Sequence, residues 1–128
     1  MSADVPGNKA SRLEAWLDDM LVNAEAIERY TAGVTQQEFM ADEMRQDAVI
    51  RRIEVIGEAA DRIMKAIPDY QTSFPDLPLR IAKDTRNLVI HEYQRVSPSL
   101  IWKTAIREIP QLRETLEGVI KRIKEANT

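Results

Sequence analysis

Apolar residues recur at helical spacing along nearly the whole chain. Leu13, Trp16, Leu17, Met20, Leu21, Ala24 and Ile27 fall three and one apart, a single stripe on a helix running to about Tyr30. Ser11 and Glu14 form a capping box at its start, since each side chain can satisfy an orphan backbone N–H of the first turn. Gly33 ends it, as a residue that tolerates positive φ. Upstream, Pro6-Gly7-Asn8 is a breaker cluster. Residues 1–10 therefore read as a disordered lead to one domain spanning 11–128.

A second capping box, Thr35 with Glu38, opens the next helical stretch, with Val34 and Phe39 at the staple positions. A long seam follows: Val49, Ile53, Ile56, Ala60, Ile63 and Ile67, four and three apart, widened by Val55, Ala59 and Met64. A short break near Asp42 separates the capping box from this seam. Gly57 lies mid-helix, where it costs stability relative to Ala. Close approach of another helix, which a Cβ would prevent, accounts for it. Pro68, Pro75 and Pro78 punctuate a loop over residues 68–76 that lacks strand alternation, and a third helix starts at Asp76 or Leu77. Leu79, Ile81, Ala82, Leu88, Val89 and Ile90 supply its apolar contacts.

Val96-Ser97-Pro98 signals one more start: Ser97 caps, Pro98 takes the first helical position, and Val96 staples to Ile101. Trp102, Ala105, Ile106, Ile109, Leu112, Leu116, Val119, Ile120 and Ile123 form its stripe. Pro110 lies within this pattern and should kink or split the helix near Glu108, because it lacks an N–H and clashes with the preceding turn. The expected fold is all-α, a bundle of four to five helices.

Composition narrows the chemistry. The 128 residues include no Cys and one His, His91. Disulfides, thiol nucleophiles, zinc ribbons and a multi-His metal site within one chain are thereby excluded. No run reaches the ~20 apolar residues of a membrane helix, and residues 1–10 hold no secretory h-region, so cytoplasmic residence is expected. The net charge of −3 is uneven. Residues 1–75 carry 14 acidic and 8 basic side chains, whereas residues 76–128 carry 7 and 10. Arg80, Lys83, Arg86, Arg95, Lys103 and Arg107 crowd one stretch. Such a patch can bind a polyanion locally, and the same charges also suit solvated helix faces.

Within that stretch stands Arg86-Asn87-Leu88-Val89-Ile90-His91-Glu92-Tyr93. On an ideal helix Arg86 and Tyr93 share a face, while His91 is rotated about 140° from Arg86. Convergence of all three requires the helix to loosen or end near Ile90. The set suits phosphodiester chemistry. A guanidinium grips a phosphate and stabilises charge in the transition state. An imidazole moves a proton near neutral pH, an amide orients a phosphate oxygen or the imidazole, and a phenol bonds or stacks on a base. Structural readings compete: His91 as a surface residue favoured by the helix macrodipole when protonated, Tyr93 as a core aromatic, Arg86 paired with Glu92 or Asp84.

The sequence resembles the HepT-like family, within the HEPN superfamily of α-helical ribonucleases, from about Leu13 to Leu116. The resemblance is carried by Tyr30-Thr31-Ala32-Gly33, by Gln46-Asp47-Ala48-Val49-Ile50-Arg51, by Ile53-Glu54-Val55-Ile56-Gly57-Glu58-Ala59-Ala60 and by the segment from Arg86 to Tyr93. The family signature maps without a gap onto Arg86, Asn87, His91 and Tyr93. The resemblance implies a homodimer with both signatures facing one cleft, and endoribonuclease activity without metal or cofactor. It also implies a toxin of a toxin–antitoxin pair, acting on tRNA or mRNA. The implied partner is an MntA-like nucleotidyltransferase antitoxin that transfers AMP to Tyr93. Arg86, Asn87 and His91 are the implied catalytic residues, with Arg80, Lys83 and Arg95 as further RNA contacts. Glu92 is assigned no role. For the dimer, the seam from Val49 to Ile67 and the stripe from Ile109 to Ile123 offer apolar surface beyond what a small bundle must bury. A non-catalytic module that binds nucleotides or docks a nucleotidyltransferase is the alternative, and a ligand-free helical dimer fits composition but leaves the signature unexplained.

Overall fold

A computed structural model describes residues 9–91 and 97–127. Its elements run α1 (Lys9–Thr31), α2 (Gln36–Met40), α3 (Glu43–Ala66), α4 (Tyr70–Ser73), α5 (Leu79–His91), α6 (Pro98–Lys103), a π-helical turn (Thr104–Glu108) and α7 (Ile109–Ala126). The fold is all-α, with no strand among the described residues. Most of the lead, through Asn8, lies outside them. Helix α1 is already formed at Lys9, so Ser11 lies inside its first turn and is not the cap expected for it. Lys9 and Ala10 are good helix formers and nothing in them delays the start.

The loop between α1 and α3 follows its residue chemistry closely. Gly33 takes φ 72°. Thr35 and Glu38 exchange both capping-box bonds: Thr35 N–H donates to Glu38 Oε1 at 2.9 Å, and Glu38 N–H donates to Thr35 Oγ1 at 3.1 Å. The chain then breaks, and the Asp42 carboxylate caps α3 by accepting from Arg45 N–H at 3.0 Å. Both carboxyls are held below their ordinary range, chiefly by these backbone N–H bonds.

Helix α3 is the central element, packed on α1 along one side and on α5 along another, while α7 closes against α1. Leu17, Met20 and Ile27 of α1, Val49 and Ile63 of α3, Leu79 and Val89 of α5, and Leu116 and Val119 of α7 are buried together. Each buried Leu, Ile or Met contributes about 1.5–3 kcal/mol of transfer free energy. Phe39 of α2 meets Trp102 of α6, ring centroids 5.2 Å apart. Ion pairs tie the outer contacts: Arg113 of α7 reaches Glu28 of α1 at 2.6 Å, and Lys83 of α5 reaches Asp61 of α3 at 3.0 Å.

Two connections differ from expectation. The loop over residues 68–76 contains one helical turn, α4, because Tyr70-Gln71-Thr72-Ser73 holds neither Pro nor Gly and Asp69 O accepts from Ser73 N–H at 3.1 Å. Helix α5 starts at Leu79, later than Asp76 or Leu77, with the Pro78 carbonyl accepting from Ala82 N–H. The later start at Ser97 follows the pattern, with Pro98 in the first turn and Ser97 Oγ accepting from Ser99 N–H at 3.1 Å. The staple from Val96 lies outside the described residues. Pro110 perturbs its helix as its chemistry requires. The turn just before it widens to π geometry, with Ile109 N–H donating five residues back to Thr104 O.

Candidate active site

Helices α3 and α5 run antiparallel: Lys83 meets Asp61, and three residues on, Arg86 meets Gly57, four residues back. Gly57 is the point of closest approach. A Cβ built there would stand 2.6 Å from Arg86 Cγ and 2.9 Å from Ala82 O, and nearer still to Arg86 Cβ. Real atoms do not approach so closely. The glycine therefore seats the stem of Arg86 directly on the α3 backbone, which gives the mid-helix Gly57 the packing role expected of it.

Arg86 is half-buried, and its Nε is enclosed without a hydrogen-bond partner. Asp84, a candidate partner, makes no ion pair with it, and Glu92 lies outside the described residues. Among the described residues, no carboxylate neutralises Arg86. A charge held this way at a semi-buried position favours an anionic ligand over water.

Helix α5 is helical through His91, one residue past Ile90, and residues 92–96 lie outside those described. Leu88, Val89, Ile90 and His91 include neither Gly nor Pro, so nothing there breaks it. Arg86 consequently turns toward α3, while His91 is exposed about 140° around the helix. Asn87, half-buried and four residues before His91, shares its side of α5, as does the exposed Arg80 seven residues before Asn87. Lys83 is engaged with Asp61 across the helix pair. Burial pushes the Asp61 carboxyl up, but hydrogen bonds and charge from Lys65 and Lys83 outweigh it and hold the group below its ordinary range. Tyr93 and Arg95 lie outside the described residues. Among the described residues, no group of three or more His, Asp or Glu side chains is placed to hold a metal ion, and no helix is long and apolar enough to cross a membrane.

The apolar stripes offered for dimerisation are spent inside the chain. Val49, Ile53, Ile56, Ala60 and Ile63 are buried, as are Leu112, Leu116, Val119 and Ile120. Four helices of this length need both stripes to close one core. The exposed large apolar side chains among the described residues lie elsewhere: Ile81, Leu88 and Ile90 on α5, Leu100 and Ile106 after it, and Val22, Met40 and Met44 before it.

The order of these segments, and not the signature alone, matches a known family. The ribonuclease HepT-like family model matches residues 20–119. The chain belongs to that family. A protein of Methanocaldococcus jannaschii named "Putative RNase MJ0125" is 34% identical over 113 residues, covering 88% of this chain and 95% of the relative. "Probable ribonuclease HepT" of Thermococcus cleftensis is 34% identical over 106 residues, 83% of this chain and 94% of that protein. A third relative, the M. jannaschii "Gamma-glutamylcyclotransferase and putative RNase MJ0434", is 31% identical over 112 residues. The match covers 87% of this chain and 49% of that longer protein. No solved structure matches the chain.

One polar network escaped the sequence reading. Arg52 of α3 binds Tyr30 and Asn23 of α1. Its signal was Asn23 itself, a polar residue set among Met20, Ala24 and Ile27 in an apolar stripe, and only 6% exposed. A buried amide needs partners, so it marks a polar contact across the helix pair.

Proposed function

We propose that this HepT-like chain is a metal-independent endoribonuclease, the toxin of a toxin–antitoxin pair acting on tRNA or mRNA. The observation that carries the reading is Arg86: a half-buried cation with no carboxylate partner among the described residues, seated on Gly57 beside Asn87 and five residues before His91.

In this reaction the RNA 2′-oxygen forms a bond to phosphorus and the P–O5′ bond breaks. The proton leaves the 2′-hydroxyl, and one is delivered to the 5′-oxygen. His91 is the group that moves a proton. Arg86 binds the scissile phosphate and stabilises the charge that grows on its oxygens, and Asn87 orients phosphate or imidazole. Because Arg86 and His91 leave α5 on different sides, one phosphate meets both only in a cleft that wraps the helix end. A homodimer with two α5 ends facing supplies such a cleft. The exposed Ile81 and Leu88, seven apart on α5, support pairing there. Arg80 extends the basic surface toward the RNA strand, Arg95 is a further RNA contact, and Lys83 joins them only by leaving Asp61.

Tyr93, two residues past His91, positions RNA and accepts AMP from an MntA-like nucleotidyltransferase antitoxin. An added adenylyl group there would obstruct the cleft and repel the substrate phosphate. The test is incubation of purified protein with total RNA, with and without EDTA, beside His91→Ala. EDTA-resistant cleavage that drops by about 10²-fold or more in the variant is expected. Cleavage unchanged in His91→Ala refutes the assignment, and RNA bound but never cut marks a non-catalytic module. Intact-mass analysis after co-expression with the nucleotidyltransferase tests for AMP addition, and mapping of the modification to a residue other than Tyr93 refutes that part.

A further inference from the structure

The half-buried arginines among the described residues divide into two pairs. Arg45 sits on Asp42, and Arg113 on Glu28 and Glu117. Arg52 and Arg86 have no carboxylate partner among the described residues. Arg86 belongs to the signature, so Arg52 is the unexplained one.

Its guanidinium is held in one orientation by neutral groups. Nη1 donates to Asn23 Oδ1 at 3.0 Å, while Nε and Nη2 donate to Tyr30 Oη at 3.2 and 2.8 Å. Asn23 is itself fixed, since its Nδ2 donates to Asp19 O at 2.7 Å. A guanidinium has five N–H donors; three are used here, which leaves one on each Nη. They border an open groove between α1 and α3 lined by Asn23, Tyr30, Ala48, Arg51, Arg52 and Val55, none of them acidic. Arg51, exposed, adds a second positive charge to the same groove.

Two neighbouring guanidinium groups, one of them pre-oriented, suit a phosphate group. Arg52 already lies 5.6 Å from the centroid of Tyr30, the one aromatic ring that lines the groove. Phosphate contact without base contact is how a protein holds a strand's backbone. We propose that the α1–α3 groove is a second RNA contact, in which Arg52 and Arg51 hold a backbone phosphate away from the scissile bond. Helix α3 stands between this groove and Arg86, a thickness of about 10 Å, so the phosphate held here belongs to a neighbouring nucleotide. The inference rests on RNA being the ligand of the signature site.

The experiment uses the full chain carrying His91→Ala, so that RNA is not consumed, and a fluorescent single-stranded RNA of about 20 nucleotides. Anisotropy is read across a salt series, alone and with Arg51→Gln or Arg52→Lys added. Each added substitution should weaken binding about three- to tenfold, and Arg51→Gln should lower the slope of log K against log salt by about 0.7. Arg52→Lys keeps the charge and loses the fork, while Arg51, being exposed, reports even if Arg52 variants fold poorly. Binding and slope unchanged by both substitutions overturn the proposal. A shift of the Asn23 side-chain amide with inorganic phosphate, with RNA binding indifferent to both variants, also overturns it and leaves a free-phosphate site. RNA binding that depends on Arg51 and Arg52 in a chain that never cuts RNA upholds the groove and removes the ribonuclease reading.

Discussion

Helix α3 has two working sides, and they hold an arginine in opposite ways. Toward α1, its own Arg52 is gripped by Tyr30 and Asn23, polar atoms placed to receive it. Toward α5, it presents Gly57, an absence of side chain, and the incoming Arg86 rests there with Nε enclosed and unpartnered. Neither has a carboxylate partner among the described residues; one guanidinium is oriented by three hydrogen bonds to neutral groups, while the other is positioned by packing. A fold maximising stability would pair both. On the proposed reading, the arginine with the unpartnered Nε is the one that meets the scissile phosphate.

The sharpest way to break the contrast is to fill the seat. Gly57→Ala would drive a methyl into the Arg86 stem and the Ala82 carbonyl. Overpacking of this kind costs about 1–3 kcal/mol, partly offset by the ~1 kcal/mol helix preference of Ala over Gly. The expected loss in RNA cleavage is larger, on the order of 10²-fold, because a displacement of about 1 Å in a positioning group costs that much. Cleavage rates at a temperature where both proteins are fully folded make the measurement. Activity that falls only with the folded fraction would reduce Gly57 to a packing role.

A smaller effect separates the ion pair on the α5 side from the signature beside it. Asp61 is held below its ordinary range by Lys65 and Lys83. Its folded pKa is thus depressed, so its contribution is present above the unfolded carboxylate pKa and is lost as pH falls through the folded value. Lys65 is mostly exposed and adds at most about 1 kcal/mol; Lys83 is the more enclosed partner. Asp61→Asn should melt lower than the parent at neutral pH, and the two curves should meet in acid. Glu38 and Asp42 titrate in the same direction, so the difference between parent and variant is the quantity to read. A difference independent of pH would mean that Asp61 acts by packing alone.

Much of this frame was legible because local rules and burial agree in it. Thr35 with Glu38, Gly33, Asp42, Ser97 and Pro110 each act as their chemistry dictates within a turn of themselves. The apolar stripes found their core, although periodicity could not say whether the core lay within one chain or between two, and both stripes closed inward. The site was legible as residue types and not as geometry. The spacing of Arg86 and His91 states that they diverge on a helix, yet whether α5 persists to His91 depends on its packing against α3. Asn23 is instructive in the same way. Its partner Arg52 is 29 residues away, and no local pattern links them.

The smallest effect makes the best control for the largest. Gly118 also lies within a long helix, α7, and the nearest atom to a Cβ built there is Arg122 Nη1 at 3.9 Å. That atom is the far end of a flexible side chain, so Ala fits without displacement. Gly118→Ala then changes only helix propensity and should stabilise the chain by about 0.8–1 kcal/mol, a rise of a few degrees in Tm. RNA cleavage should not change, since α7 carries none of the signature. The same substitution at two helical glycines is thus expected to shift stability in opposite directions and to lower activity at Gly57 alone. If Gly118→Ala lowers activity as Gly57→Ala does, the loss at Gly57 reflects a general sensitivity of the bundle, and the seat beneath Arg86 has no special part in it.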